Sequence, residues 1–213
     1  MKQIKNPGLS VISCLTILLL SSCFGMSMDI ELRQNGSGTL SLEYQVSKSL
    51  ESLGKLDGNE RWNTIPVGRS DFERTLSRLP GMKLLSFSSK EDQKNVVINA
   101  KMDFSSIQDL LDFLDSGGRR SSFSGDAGSG RILLTLSEGA GINNSGLEKL
   151  IEDISASYSI KMSMRFPGEG SLSVFDNSGR PLETQTQGKN VSCAFPLYTI
   201  LSSANGIHAE FKW

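Results

Sequence analysis

The sequence predicts an α+β fold, in which an antiparallel sheet of about eight or nine strands carries three or four amphipathic helices on one face. First, apolar residues alternate with polar ones in several short runs, which is the period of a half-buried strand. Second, the early runs come in pairs around polar turns, as in β-hairpins. Third, a few segments between them place apolar residues at helical spacing. Strands that come in hairpins, without strict alternation with helices, favour the α+β class.

Two hairpins are predicted in the first half of the chain. Apolar residues alternate over 28–32 and again over 40–46, on either side of the Gly-containing turn 35–38. The same alternation over 85–87 and 96–104 predicts the second hairpin. Each alternating strand has one apolar and one polar face, as in an antiparallel sheet with one face in water.

Four segments show helical patterns. Ser70 and Glu73 fit a capping box at the start of one helix, and Ser105 or Ser106 caps the next. The helix that begins at Asn144 or Ser145 has the longest apolar stripe. In chain order, the four segments are 47–56, 70–79, 107–114 and 144–158.

Further alternating runs in the second half predict five more strands. The Gly- and Ser-rich stretch 116–130 interrupts the pattern, and we expect it to be a flexible loop. Pro167 and Gly168 end one of the runs. The five predicted strands are 132–136, 160–166, 172–174, 191–195 and 207–213.

The N-terminal 22 residues have the organisation of a secretory signal peptide. Lys2 and Lys5 precede an apolar run over 9–20, and small residues follow. The run is shorter than the roughly 20 residues that a membrane-spanning helix needs. Leu20-Ser21-Ser22-Cys23 resembles the bacterial lipobox, which implies cleavage before Cys23 and acylation of that residue.

The predicted mature chain is one extracytoplasmic domain. Residues 23–27 form the acylated Cys and a short tether, and 28–213 form the domain, with two lobes divided near 116–130 as the alternative. Removing residues 1–22 takes Lys2 and Lys5 from the 22 basic residues, which leaves 20 against 23 acidic ones and a net charge of −3. Nucleic acid is therefore not an expected partner. With Cys23 acylated, Cys193 has no other Cys with which to form a disulfide.

Three motifs resemble the LppM-like domain of bacterial lipoproteins. They are Asp29–Leu32 followed by Gly36–Gly38, the stretch MRFPGEGSLSVFDNSGRPL centred on Phe166–Gly168, and an ending with Val191–Leu197 and a last strand closed by Trp213. The resemblance runs in order from Asp29 to Trp213. It implies an α+β domain outside the cytoplasm, without known catalysis, that in part of the family binds lipids or glycolipids of the envelope. Some relatives have a membrane helix after this domain, whereas here we expect the lipid anchor to be the tether.

The sequence contains no signature of catalysis, metal binding or a cofactor. His208 is the sole histidine, so a zinc site of the usual kind would have only Cys193 to add to it. No Gly-x-Ser-x-Gly elbow accompanies it, and no phosphate loop or dinucleotide motif is present. We therefore expect neither an enzyme nor a cofactor-binding protein. His208 is expected on the polar face of its strand, and Cys193 is expected to be a buried thiol.

Two groups of residues are candidates for function. Met162, Met164 and Phe166 share one face of a predicted strand, and flexible thioethers suit a pocket for an acyl chain. The predicted opposite wall is the helical stripe of Leu147, Leu150, Ile151 and Ile154.

The second group is a candidate membrane-contact loop. Arg119 and Arg120 with Phe123 would place two cations and an aromatic ring near anionic headgroups. We expect a lipid-anchored envelope protein, in the inner or the outer membrane, that binds envelope lipid or glycolipid. The alternative is a structural lipoprotein that binds other envelope proteins and has no ligand cavity.

Overall fold

Two β-sheets make up most of the domain. The structure is a computed structural model that describes residues 25–47, 66, 68–93, 95–115, 120–139, 149, 152–153, 155 and 158–213. Over these residues it has twelve strands and three helices with defined bounds. The strands are β1 Met26–Leu32, β2 Gly38–Ser47, β3 Met82–Glu91, β4 Asn95–Phe104, β5 Ser121–Gly125, β6 Gly130–Ser137, β7 Ser159–Arg165, β8 Ser171–Asp176, β9 Pro181–Leu182, β10 Gln185–Gln187, β11 Asn190–Pro196 and β12 Ile207–Lys212. The helices are α1 Arg69–Leu76, α2 Ile107–Leu114 and α3 Leu197–Ser202.

The first sheet has seven strands in the order β10-β11-β7-β1-β2-β4-β3. Both predicted hairpins, β1–β2 and β3–β4, are confirmed as antiparallel pairs. The central strand β1 pairs in parallel with β7, so that Met26 lies opposite Ile160 and Ile30 opposite Met164. This pairing joins the two halves of the chain in one sheet.

The second sheet has five antiparallel strands in the order β5-β6-β12-β8-β9. The inner faces of both sheets and the apolar sides of α1 and α2 contribute to one hydrophobic core. Phe72 and Leu110 bring the helices into that core, while Phe211 and Ile132 bring the second sheet into it. The described parts of the chain therefore share a single interior.

The prediction of one antiparallel sheet of about eight or nine strands was wrong in two respects. The described residues form twelve strands in two sheets, and β1 pairs with β7 in parallel. The predicted hairpins and alternating strands are present, while β5, β9 and β10 are additional. β9 and β10 have two and three residues, too few to show alternation. The predicted helix 47–56 and nearly all of 144–158 lie outside the described residues.

The expectation of a flexible loop over 116–130 was wrong for its second part. Residues 121–125 form β5, which pairs with β6. Asp115 Oδ2 accepts hydrogen bonds from the backbone N–H groups of Arg120 and Ser121 at 2.5 and 2.8 Å. Asp126 Oδ1 accepts from Gly128 and Ser129 in the turn that follows. Side-chain acceptors therefore fix a segment whose Gly and Ser content suggested mobility.

The helix caps differ in one case from the prediction. The N-cap of α1 is Gly68, whose N–H donates to Asp71 Oδ2 at 2.9 Å, and Ser70 lies inside the helix. Asp71 is at the third helical position, where an acid reaches back to the cap. Ser106, one of the two predicted candidates, caps α2 and accepts from the Asp109 N–H at 3.2 Å.

Candidate functional site

The outer face of the seven-stranded sheet is polar across five or six adjacent strands. β1 presents Ser27 and Asp29 on this face, while Met28 and Ile30 point into the core. The pairing register extends each position into a row of polar residues. One row is Lys161, Ser27, Glu43, Asn99 and Ser88, and the next is Ser192, Ser163, Asp29, Ser41, Lys101 and Ser86.

Two grooves lie side by side on this face and share Ser27. The first has a volume of about 380 Å³ and the second about 330 Å³. The first is lined by Ser27, Asp29, Ser41, Leu42, Glu43, Ser86, Phe87, Ser88, Asn99, Ala100 and Lys101. The second is lined by Ser27, Lys161, Met162, Ser163, Glu183, Gln185, Ser192, Cys193 and Ala194.

A hydrogen bond connects the walls of the two grooves. The Ser163 hydroxyl donates to Asp29 Oδ1 at 2.6 Å across the parallel β1–β7 pair. Hydroxyl groups, an amide, carboxylates and ammonium groups therefore alternate over a short distance along both grooves. Such a surface both donates hydrogen bonds to a ligand and accepts them from it. A ligand rich in hydroxyl groups, which also donate and accept hydrogen bonds, is chemically complementary to such a surface.

The three strand residues of the predicted acyl pocket lie on the opposite face of this sheet. Met162, Met164 and Phe166 are 3%, 1% and 1% exposed, which confirms the inward face predicted from their alternation. The other predicted wall, formed by Leu147, Leu150, Ile151 and Ile154, lies outside the described residues. The pocket itself therefore stays a prediction.

Two of the three predicted membrane-contact residues, Arg120 and Phe123, make contacts with other side chains of the domain. Arg120 Nε donates to Glu138 Oε1 at 3.0 Å. Phe123 stacks on Trp213, with ring centroids 6.0 Å apart, and Trp213 stacks in turn on Phe166 at 5.3 Å. Arg119 lies outside the described residues. Contact of this segment with a membrane stays a prediction.

Cys193 and His208 lie on the strand faces that the alternation of apolar and polar residues predicts. Cys193 is buried on the inner face, and burial raises the pKa of its thiol to about 11. His208 is half-buried on the outer face of the second sheet, where Nε2 lies 2.5 Å from Asn177 Oδ1 and Nδ1 lies 3.2 Å from Thr135 Oγ1. Within the described ranges, no three His, Cys, Asp or Glu side chains are grouped so as to hold a metal ion.

Sequence reasoning missed the groove residues. Serines and charged residues at the polar positions of an alternating strand indicate only that this face is exposed to water. Ser163 and Asp29 are 134 positions apart, and their contact depends on the parallel β1–β7 pair. No local pattern signals that pair, although the alternation in each strand does show which residues face outward.

Comparison with known proteins gives one structural similarity. No family model matches the chain, and no curated protein matches it. Among solved structures, the chain is similar to the folded domain of LppM from Mycobacterium tuberculosis, determined by NMR. The two share 8% sequence identity over 90% of each chain, with a TM-score of 0.47. This similarity assigns no role to any residue here.

Among the described residues, the helices are all too short or too polar to cross a membrane.

Proposed function

We propose that this chain is a membrane-anchored lipoprotein of the cell envelope with a non-catalytic domain that binds the hydroxyl-rich headgroup of an envelope glycolipid. The anchor is the acylated Cys23, and the binding surface is the pair of grooves on the polar face of the first sheet. The observation that carries the binding proposal is the two rows of polar side chains along two adjacent grooves that meet at Ser27.

The anchor is supported by the sequence of residues 1–23. A basic start, a short apolar run and small residues come directly before Cys23. Two or three acyl chains hold a protein stably on a membrane, because each buried methylene contributes about 0.8 kcal/mol. The domain would then lie outside the cytoplasm, at the membrane surface where envelope glycolipids present their headgroups.

The size and chemistry of the grooves support a small polar ligand. Each groove is within the range of about 300–1,000 Å³ that is usual for ligand sites. Asp29 and Glu43 accept hydrogen bonds from ligand hydroxyls, Lys101 and Lys161 donate to them, and the serines do both. No bond has to be broken for such a ligand to bind, in keeping with the absence of a catalytic motif from the sequence.

Binding of an acyl chain is a separate hypothesis that uses the other face. Met164 points into the core, whereas Lys161 and Ser163 line the second groove, whose lining also includes Met162 at 3% exposure. The sheet therefore separates the two sites, and one ligand cannot fill both without passing around the sheet edge. Variants on the polar face test the headgroup proposal without disturbing the inner face.

Acylation predicts a clear effect of Cys23→Ser. This variant of the full chain should stay unprocessed and should not incorporate radioactive palmitate, because the thiol that accepts the acyl chain is missing. Labelling is measured on the protein immunoprecipitated from cells, with Cys193→Ser as the matched control that keeps the acceptor. Palmitate in the Cys23→Ser protein would refute the anchor.

Groove binding predicts that Ser163→Trp removes a co-purifying glycolipid. The indole would fill the second groove, whereas Ser122→Trp adds the same ring at an exposed position of β5, on the other sheet. Residues 24–213 of each variant are incubated with an envelope lipid extract, purified again, extracted with organic solvent and compared by mass spectrometry. The wild type and Ser122→Trp should carry glycolipid, and Ser163→Trp should not.

Two results of that comparison would contradict the proposal. Equal glycolipid in all three proteins would place the ligand elsewhere, with the inner face as the next site to test. No glycolipid in the wild type would exclude glycolipid binding and favour the alternative of a protein-interaction lipoprotein. Circular dichroism of each variant shows whether the added ring leaves the fold intact.

A further inference from the structure

Three segments of the chain meet at the end of the first sheet where β1 begins. A Cβ atom on Gly25 would lie 2.9 Å from Tyr158 Cβ, so that the start of β1 packs directly on the residues that lead into β7. The Leu197 N–H donates to the Tyr158 carbonyl at 2.9 Å, and Pro196 pairs with Ser159. We call Met26, Tyr158, Pro196, Leu197 and Tyr198 the anchor-side rim.

The anchor-side rim is uncharged and partly apolar. None of the residues in the segments 25–27, 158–160 and 196–200 carries a charge. Met26 is 36% exposed and is one of two large hydrophobic residues exposed in the described part of the chain. Tyr158 and Tyr198 are half-buried. Tyrosine, with an apolar ring and a polar hydroxyl, is enriched where protein meets the headgroup layer of a membrane.

The length of chain before β1 fixes the distance from the rim to the anchor. Gly25 is two residues after Cys23, so their Cα atoms are at most about 7 Å apart even in a fully extended chain. The headgroup layer on each side of a bilayer is itself roughly 5–8 Å thick. A Cys23 that carries acyl chains therefore holds Gly25 at the level of the headgroups, with too little tether for the domain to stand away.

We infer that the anchor-side rim lies in the headgroup layer of the bilayer and that the strands of the first sheet lead away from it. The inference rests on the proposed acylation of Cys23 and adds which end of the domain faces the lipid. β1 and β7 run in parallel, so their far ends, with the turns 33–37 and 167–169, lie about 20 Å along the strands from the rim.

This orientation brings the grooves close to the lipid. Ser27, which both grooves share, follows Met26 of the rim directly. The grooves therefore open beside the membrane surface, within reach of a headgroup whose acyl chains stay in the bilayer. By contrast, Phe123 lies towards the far end of the strands. It packs against Trp213, whose Nε1 donates to the Ala127 carbonyl in the turn after β5. A Cβ on Gly36, in the turn at the far end of β1, would lie 3.4 Å from Ala127 Cβ.

Depth-dependent fluorescence quenching tests the orientation on the full acylated chain. Pro196→Cys places a thiol for an environment-sensitive fluorophore on the rim, and Glu169→Cys places one at the exposed far end. Cys193 stays unlabelled because it is 4% exposed. Each labelled protein is reconstituted into phosphatidylethanolamine–phosphatidylglycerol vesicles, with and without lipids that carry a nitroxide on the headgroup.

The rim label should lose fluorescence in nitroxide vesicles, and the far-end label should not. Equal quenching of both labels, or stronger quenching at position 169, would overturn the orientation. Met26→Cys provides a second rim label, so that a misfolded Pro196→Cys protein does not decide the result.

If Cys23 is not acylated, the experiment gives a result that differs from that of a wrong orientation. If the chain is not acylated, the wild type and Cys23→Ser associate with vesicles equally, and mass spectrometry finds no acyl chains on the protein. Acylated, vesicle-bound protein with an unquenched rim label refutes the orientation alone.

Discussion

Glu210 shows how the fold holds a carboxylate inside a sheet face. It lies on the outer side of β12 and is 8% exposed, with ion pairs to Arg131 and Lys212. The hydrogen bond from Lys212 lowers the pKa of Glu210, and Arg131 lowers it further against the opposing effect of burial. Alternation in β12 predicted an outward position for this residue. Its burial could not be predicted, because one of the two cations that cover it, Arg131, lies on another strand, β6.

The lowered pKa predicts that Glu210 stabilises the domain at neutral pH but not in acid. A group whose pKa is lower in the folded state contributes stability above its unfolded pKa and loses it as the pH falls through the folded value. Glu210→Gln should cost about 1–2 kcal/mol at pH 7, and less at pH 3. The measurement is urea unfolding at both values of pH.

Glu138→Gln is the matched control for this prediction. Glu138 also pairs with an arginine, but both side chains are more than half exposed, so its loss should change the free energy of unfolding little. An equal cost of Glu210→Gln at pH 7 and pH 3 would show that the ionised form is not the stabilising one.

Among the elements, the link from β7 to β8 depends on one glycine. Phe166 follows β7, stacks on Trp213, and its ring lies over Gly170, where a Cβ would be 1.9 Å from Phe166 Cδ2. The sequence showed that Pro167 and Gly168 end the strand. It did not show that Gly170 makes room for the ring, because that requires knowing which way Phe166 points.

The same substitution should have different effects at the two glycines of this link. Gly170→Ala should destabilise the domain by about 1–3 kcal/mol, because the methyl group must displace a buried aromatic ring. Gly168→Ala should have little effect, since a Cβ there meets nothing within 4 Å. Thermal unfolding of the two variants checks this, and an equal loss in both would contradict the close packing of Phe166 on Gly170.

Local patterns predicted the local elements of the fold well. The hairpins β1–β2 and β3–β4 follow from alternation around short turns, and Gly36 provides the left-handed residue that the first turn needs, with φ of +80°. The strands β9 and β10 could not be predicted, because they are held by pairing with neighbours and not by their own pattern. The same limit applied to the grooves, whose walls come from strands distant in the sequence.

At the scale of the molecule, one core joins both sheets, which predicts that the domain unfolds as a unit. Cys193 lies in that core at 4% exposure. In residues 24–213 its modification by a thiol reagent should therefore begin only at urea concentrations where tryptophan fluorescence reports global unfolding. Ala194→Cys in a Cys193→Ala background is the control, since the neighbouring position is exposed and should react at once.

Early reaction of Cys193, well below the global transition, would show that the first sheet opens by itself. The raised pKa of the thiol slows the reaction at neutral pH in the folded state, so the test compares urea midpoints and not absolute rates.

The parallel pair of β1 and β7 also sets the order in which the chain can fold. Met26 and its partner Ile160 are 134 residues apart, so the centre of the first sheet is incomplete until most of the chain is available. Closing contacts of such long separation is slow, and unpaired strand edges favour aggregation meanwhile. If Cys23 is acylated as proposed, β1 would be held at the membrane and paired with β2 alone until β7 follows. During that interval, the edge of β1 that later pairs with β7 has no partner strand.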